Sequence, residues 1–193
     1  MKVYKLVIFI WFLAKCQLLW GGIYFVAPAG NDASSRTDAK SFHTPWKTIL
    51  KATHSVQAGD TIMVADGIYA ESNITFSQSG TAEKWIMLTN MPGTAPVISL
   101  KGAARGIYVY KSSYIHINGF TIQGFNSDGI SIFYGDYIIC TNIKAFDNGN
   151  AGINVVDSDH IVIQDCELHH NGWKPDGDSG WGDGASINNH NAP

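Results

Sequence analysis

The sequence predicts a parallel β-helix, and three observations support this. A short apolar motif opening on glycine recurs at a fixed step: GIYV at Gly106–Val109, GISI at Gly129–Ile132 and GINV at Gly152–Val155, each 23 residues after the last. Two further apolar columns keep that step. One runs through YIHI at Tyr114–Ile117, YIIC at Tyr137–Cys140 and HIVI at His160–Ile163; the other through Phe120 and Ile122, Ile143 and Ala145, then Cys166 and Leu168. Between the columns stand Gly, Asn, Asp and Ser at turn positions, and no segment of the repeat has helical spacing. A period of this length marks a solenoid, whose units bury their apolar face only by stacking on one another. A leucine-rich repeat of similar length would need a Leu-x-x-Leu-x-Leu core and a helical or irregular return, and neither is present. Three strands per coil follow, with each coil advancing about 4.8 Å, the spacing of paired strands. Alternation along a strand sends Ile107 and Val109 to the interior and Tyr108 outward, and Ile130, Ile132, Ile153 and Val155 continue the inward column.

The chain opens differently. Lys2 and Lys5 precede an apolar run from Leu6 to Ala14, with small residues near Gly21 and Gly22. This is the layout of a secretory signal peptide over residues 1–22, too short for a comfortable membrane span. A lipoprotein reading of Cys16 is disfavoured by Lys15 in front of it, and a buried N-terminal strand or helix is the remaining alternative. Removing this leader takes away three lysines and moves the formal charge from −3 to −6. A mildly acidic exported monomer is therefore expected, secreted or periplasmic, with no membrane association after leader removal. Nucleic acid, which rewards clustered Lys and Arg, is excluded as a partner. Cys140 and Cys166 fall in inward columns filled elsewhere by Ile and Phe, so both are expected to be core thiols and not a disulfide.

One domain is expected over residues 23–193. Its first segment, Tyr24–Ser34, reads as a short strand breaking into a Gly/Asn/Asp turn. Thr44–Asp60 then carries Ile49, Leu50, Ala52, Thr53 and Val56 at helical spacing, with Thr44 as N-cap, Pro45 at the first helical position and Gly59 as terminator. A short amphipathic helix here would cap the apolar end of the first coil. Thr61–Val64 supplies the first coil strand, with Asp66-Gly67 as its turn. NITF at Asn73–Phe76, WIMLT at Trp85–Thr89 and PVISL at Pro96–Leu100 form less regular coils. The sequon at Asn73 is a pattern that chance produces often and carries no weight.

Tyr24, Val26, Pro28, Gly30 and Asp32, then Pro45, Lys47, Thr48, Ile49 and Ala52, then Gly59-Asp60-Thr61-Ile62 and Gly67-x-Tyr69 carry a resemblance. They look like the N-terminal cap and first coil of secreted right-handed parallel β-helix proteins, many of them polysaccharide lyases, notably family 9 pectate lyases and related alginate or chondroitin lyases. The resemblance covers nearly all of the chain after the leader. It is specific for the fold and suggestive for activity, since hydrolases and epimerases share the same cap.

The period breaks once. The glycine column returns after Gly152 at Gly184, a step of 32, so nine extra residues lie between Asn171 and Asp183. Long loops on a rigid solenoid are where binding residues usually lie. Trp173 and Trp181 in this loop are candidates to stack on a sugar ring, against the alternative of an ordinary solvated loop. Asp176, Asp178 and Asp183 could give hard oxygen ligands to calcium, without matching an EF-hand spacing. For Asp176 and Asp178 the turn-residue reading stands beside it. His169, His170 and His190 form the histidine cluster. Adjacent histidines on a strand point to opposite faces, which sets His169 as the ligand-facing one and argues against a shared metal.

The lyase resemblance implies more. In that family an Asp-Gly pair at the start of a coil strand supplies one calcium-binding Asp, and Asp183-Gly184 matches it. The other ligands, in an Asp-Asp-x-x-Asp segment, and the base would come later. The chain is therefore expected to be the N-terminal portion of a longer protein. The implied chemistry is β-elimination on an acidic polysaccharide, with calcium acidifying the C5 proton of a uronate and a Lys or Arg removing it. Lys174 is the one basic residue of the inserted loop and a weak candidate for that base. Two rival readings are a β-helix glycoside hydrolase using Asp178 and Asp183, and a non-catalytic, glycan-binding surface solenoid.

Overall fold

The computed structural model describes residues 21–172 and 184–188. Residues 1–20, holding most of the expected leader, lie outside them, as do 173–183 and 189–193. In chain order the described strands are β1 (Ile23–Val26), β2 (Thr61–Val64), β3 (Ile68–Tyr69), β4 (Ile86–Asn90), β5 (Val97–Ile98), β6 (Ile107–Tyr110), β7 (Ser113–Asn118), β8 (Thr121–Gln123), β9 (Ile130–Phe133), β10 (Asp136–Thr141), β11 (Lys144–Phe146), β12 (Ile153–Val156), β13 (Asp159–Gln164), β14 (Glu167–His169) and β15 (Ala185–Asn188). One α-helix, α1 (Ile49–Ser55), precedes β2.

These strands form three parallel sheets. Sheet A has the order β1-β2-β4-β7-β10-β13, sheet B β14-β11-β8-β5-β3, and sheet C β15-β12-β9-β6. Each coil therefore visits A, B and C in turn, as a right-handed parallel β-helix does. The repeat step is the pairing step: Ser113 pairs with Asp136 and Asp136 with Asp159, while Ile107 pairs with Ile130 and Ile130 with Ile153. Across the insertion Ile153 pairs with Ala185, so the strand resumes in register. The irregular segments form the earlier coil, with Ile74 bridging Ile107 and with β4 and β5 in sheets A and B. Inward residues stack into one core: Ile107, Val109, Ile130, Ile132, Ile153, Ile115, Ile117, Ile138, Cys140 and Ile122 are all fully or almost fully buried. Cys140 is a buried free thiol, as its column predicted, while Cys166, also a free thiol, is only half-buried.

The glycine column has a packing cause. A Cβ on Gly106 would lie 2.6 Å from the carbonyl oxygen of Gly129, one on Gly129 2.7 Å from that of Gly152, and one on Gly152 2.8 Å from that of Gly184. Each coil presses its Cα onto the next coil's carbonyl, leaving no room for a side chain.

Four other columns hold left-handed backbone, which L-residues adopt rarely. They are Lys111, Tyr134 and Asp157; Tyr114, Tyr137 and His160; Gly119, Asn142 and Asp165; and Gly124, Asp147 and His170. Tyr114, Tyr137 and His160, which the sequence places at the start of strands, are thus local kinks skipped by the pairing register. Ring stacking favours them there: Tyr114 lies 4.8 Å from Tyr137, and Tyr137 4.2 Å from His160.

The cap corrects the sequence in detail. Thr48, not Thr44, caps α1, its Oγ1 accepting from the Lys51 N–H at 3.2 Å. The Thr44–Trp46 stretch is held extended because Trp46 bridges Val26 and its N–H donates to the Phe25 carbonyl, so sheet pairing outcompetes the proline signal. The helix ends at Ser55, before Gly59, which turns the chain at φ +94. Glu71 accepts the N–H groups of Ile49 and Leu50 at 2.8 and 2.9 Å, completing the first turn. Burial pushes the Glu71 carboxyl up, opposed by those two bonds. Trp46 is fully buried and stacks on Tyr24, while Ile49, Ala52 and Val56 join the same core.

Between sheets B and C, Asn148 is fully buried. Its Oδ1 accepts from the Phe125 N–H at 3.2 Å, and its Nδ2 donates to the Ile122 carbonyl at 3.3 Å and to Asn171 Oδ1 at 3.0 Å. These side chains satisfy turn backbone that would otherwise be buried unpaired.

Two outcomes follow. Gly129→Ala should destabilise the protein by roughly 1–3 kcal/mol, read as a lower urea midpoint; an unchanged midpoint contradicts the close-approach explanation. His116 has its pKa held below the ordinary 6.5 by desolvation, and its Nε2 lies 2.7 Å from Thr141 Oγ1. The unfolded chain therefore binds the proton more readily, so His116 lowers stability as pH falls through the ordinary histidine range. Thermal midpoints of His116→Gln should fall less than wild type between about pH 7.5 and pH 5, and parallel profiles would refute this.

Candidate functional site

The outer face of sheet C carries a cluster of aromatic and basic side chains, with Tyr110, Lys111 and Tyr134 exposed. Its outward positions on β6 are Tyr108 and Tyr110, and on β9 Ser131 and Phe133. Tyr108 stacks on Tyr110 at 5.5 Å and meets Phe133 edge-on at 5.6 Å; Tyr110 meets Tyr134 edge-on at 5.9 Å. The left-handed backbone at Tyr134 turns its ring onto this face. Tyr110 and Tyr134 are 43% and 49% exposed and adjoin one another, a contiguous apolar patch of the kind that marks contact surfaces.

Two cations flank the rings. Arg105 lies over Tyr108 at 4.6 Å and over Phe133 at 5.6 Å, and Lys111 over Tyr110 at 5.2 Å and Tyr134 at 5.9 Å. The Nε of Arg105 is buried without a hydrogen-bond partner among the described residues. The face can therefore stack on a flat ring and attract an anion at the same place.

At the entry to β9 lies Asp128, 1% exposed. Its Oδ1 accepts from Asn150 Nδ2 at 2.7 Å and from the Ala151 N–H at 3.3 Å; its Oδ2 accepts from Ser131 Oγ at 2.7 Å and Asn154 Nδ2 at 3.2 Å. Asp128-Gly129 is an Asp-Gly pair at the start of a coil strand, in the same column as Asp183-Gly184. All four of its partners are hydrogen donors, so this carboxylate is a structural tie and does not fit a calcium ion. Among the described residues no group of three or more His, Cys, Asp or Glu is placed to hold a metal.

Most residues singled out from sequence lie outside the described residues: Trp173, Lys174, Asp176, Asp178, Trp181, Asp183 and His190. His169 is on the outer face of sheet B, stacked on Phe146 at 5.1 Å, with its Nε2 3.1 Å from Glu167 Oε1. The expectation that His169 and His170 point apart is corrected. β14 ends at His169, and His170 has φ +51, so the rings meet edge-on with their Nδ1 atoms 2.6 Å apart. Arg105, Tyr110, Lys111, Asp128 and Tyr134 escaped the sequence reading. The repeat held their signal, since they flank the inward columns at positions that the 23-residue step superposes.

Asp128→Asn replaces one accepting oxygen with an amide N–H donor that faces donors and should cost roughly 1–3 kcal/mol, with the same loss of thermal midpoint whether calcium or chelator is present. A calcium-dependent loss would instead make Asp128 a metal ligand.

Comparison with known proteins agrees with this architecture. The chain is 31% identical over 109 residues to the uncharacterized protein YwoF of Bacillus subtilis (strain 168), covering 53% of this chain and 22% of that one. It is 27% identical over 144 residues to pectate lyase L of Thermoclostridium stercorarium, covering 72% of this chain and 11% of that protein. The structure of pectate lyase Pel9A superposes with a TM-score of 0.67 at 23% identity, over 88% of this chain and 45% of that one, a likeness of fold. The chain thus spans a minor part of the length of these relatives. With residues 24–192 matching the family described as the Pel9A-like, right-handed β-helix region, the chain belongs to that pectate lyase-like family.

Proposed function

We propose that the protein is a secreted polysaccharide lyase that cleaves a polyuronate by β-elimination, with the outer face of sheet C as its sugar-binding surface. The observation that carries this reading is the pairing of exposed Tyr110 and Tyr134 with Lys111. The rings offer apolar platforms to sugar faces, and the ammonium group offers a partner to a uronate carboxylate. Arg105, at the opposite end of β6, supplies a second positive charge. Family membership and the pectate lyase relative support the same substrate class.

In the reaction a base takes the C5 proton of the uronate, the C4–O bond breaks, a C4–C5 double bond forms and the departing sugar oxygen is protonated. Lys174 is proposed as that base, and Trp173, Trp181 and His169 as further sugar contacts. Calcium belongs to the proposal through Asp176, Asp178 and Asp183, by type and sequence position.

The natural full-length protein, incubated with polygalacturonate, should release product absorbing as an unsaturated uronate. Chelation should abolish this and added calcium restore it. Lys111→Ala should raise KM about 5- to 20-fold at low salt and less at high salt, because exposed charges are screened. New reducing ends without the unsaturated product would make the protein a hydrolase. Saturable binding without turnover would make it a glycan-binding solenoid.

A further inference from the structure

The turns between sheets B and C enclose a second concave site. A cavity of about 590 Å³ opens there, within the size range of ligand pockets. Its walls come from three successive coils: Ser99 and Lys101 follow β5, Gln123 ends β8 with Asn126 just beyond it, and Asp147 follows β11. No strand of sheet C contributes a lining residue. Phe125, 2% exposed, gives the cavity an apolar wall. The space beside Gly124 is open, since a Cβ there would meet only Ser99 Oγ, at 3.5 Å.

The polar groups of this cavity are unused. Among the described residues the side chains of Ser99, Lys101, Gln123 and Asp147 make no hydrogen bond or ion pair. Asn126 donates through Nδ2 to the Gly102 carbonyl at 2.9 Å, which leaves its Oδ1 to accept. Donors and acceptors are thus interleaved, with one positive and one negative charge that sum to zero. A hydrocarbon ligand would leave these groups dehydrated and unpaired. A polyanion would meet the Asp147 carboxylate. A neutral polyhydroxylated ligand pairs with both kinds of group.

We propose that this cavity binds a neutral sugar unit of one or two rings, separately from the sheet C face. The inference extends the carbohydrate part of the proposed function and does not depend on β-elimination. The test uses saturation-transfer NMR on the full-length protein with neutral mono- and disaccharides of galactose, rhamnose, xylose and glucose, and in separate samples with galacturonate oligomers. At least one neutral sugar should bind saturably. Gln123→Ala should weaken it about tenfold, or 1.4 kcal/mol, and Ser99→Trp, which fills the cavity, should abolish it. The galacturonate response should be unchanged in both. Lys101→Ala, at an exposed position, gives a variant that leaves the core intact and should also weaken neutral-sugar binding. Absence of any neutral-sugar binding, or binding that survives all three substitutions, overturns the proposal. Neutral-sugar binding in a protein that ignores galacturonate would sustain this inference and remove the polyuronate reading.

Discussion

Each coil of this protein hydrogen-bonds through its backbone to the coil before it and the coil after it, in parallel and nearly residue for residue. That pairing can continue only if successive coils approach to strand spacing at every point of the circuit. At the entry to sheet C the approach is tightest, and Gly106, Gly129 and Gly152 are glycine because a carbonyl oxygen stands where their Cβ would be. Elsewhere the circuit must turn corners within one or two residues, and left-handed backbone does this at four points per coil. Buried Asn148 and half-buried Asn171 then satisfy the turn backbone at the third corner. Core, corners and faces are consequences of a chain committed to pairing with itself at a constant step.

The repeat was legible in the sequence because packing repeats. Inward Ile and Val, and glycine where space is lacking, recur at positions that physics constrains identically in each coil. What was not legible were features set by neighbours distant in sequence. Thr44-Pro45 has the local signature of a helix start, yet Trp46 is held extended by β1, and the helix begins at Ile49 under the side chains of Thr48 and Glu71. Left-handed Tyr, Lys and His have no local signature, since such residues favour ordinary backbone in isolation. At Tyr114, Tyr137 and His160 stacking between coils offsets that preference. His169 and His170 meet for the same reason, because the backbone at His170 is a left-handed corner and not strand.

Function was legible in the sequence only as a disturbance of the repeat. The inserted loop pointed to Trp173, Asp183 and their neighbours, which bear on catalysis by proposal. The described coils add a binding surface that periodicity alone did not expose. Tyr110, Phe133 and Val156 share one outward column, which changes character from coil to coil. Inward columns vary little; this one varies because its chemistry is set by what it faces outside the protein. Asp128 shows that variation also serves structure: an acidic residue in a suggestive position is fully occupied by its own neighbours.

The central claim is that sheet C, and not the outer face of sheet A, meets an acidic sugar chain. Amide chemical-shift mapping during titration with a galacturonate oligomer tests it directly. The account predicts the largest shifts at Arg105, Tyr108, Tyr110, Lys111, Phe133 and Tyr134. Largest shifts at His116 and Thr141 on sheet A would contradict it.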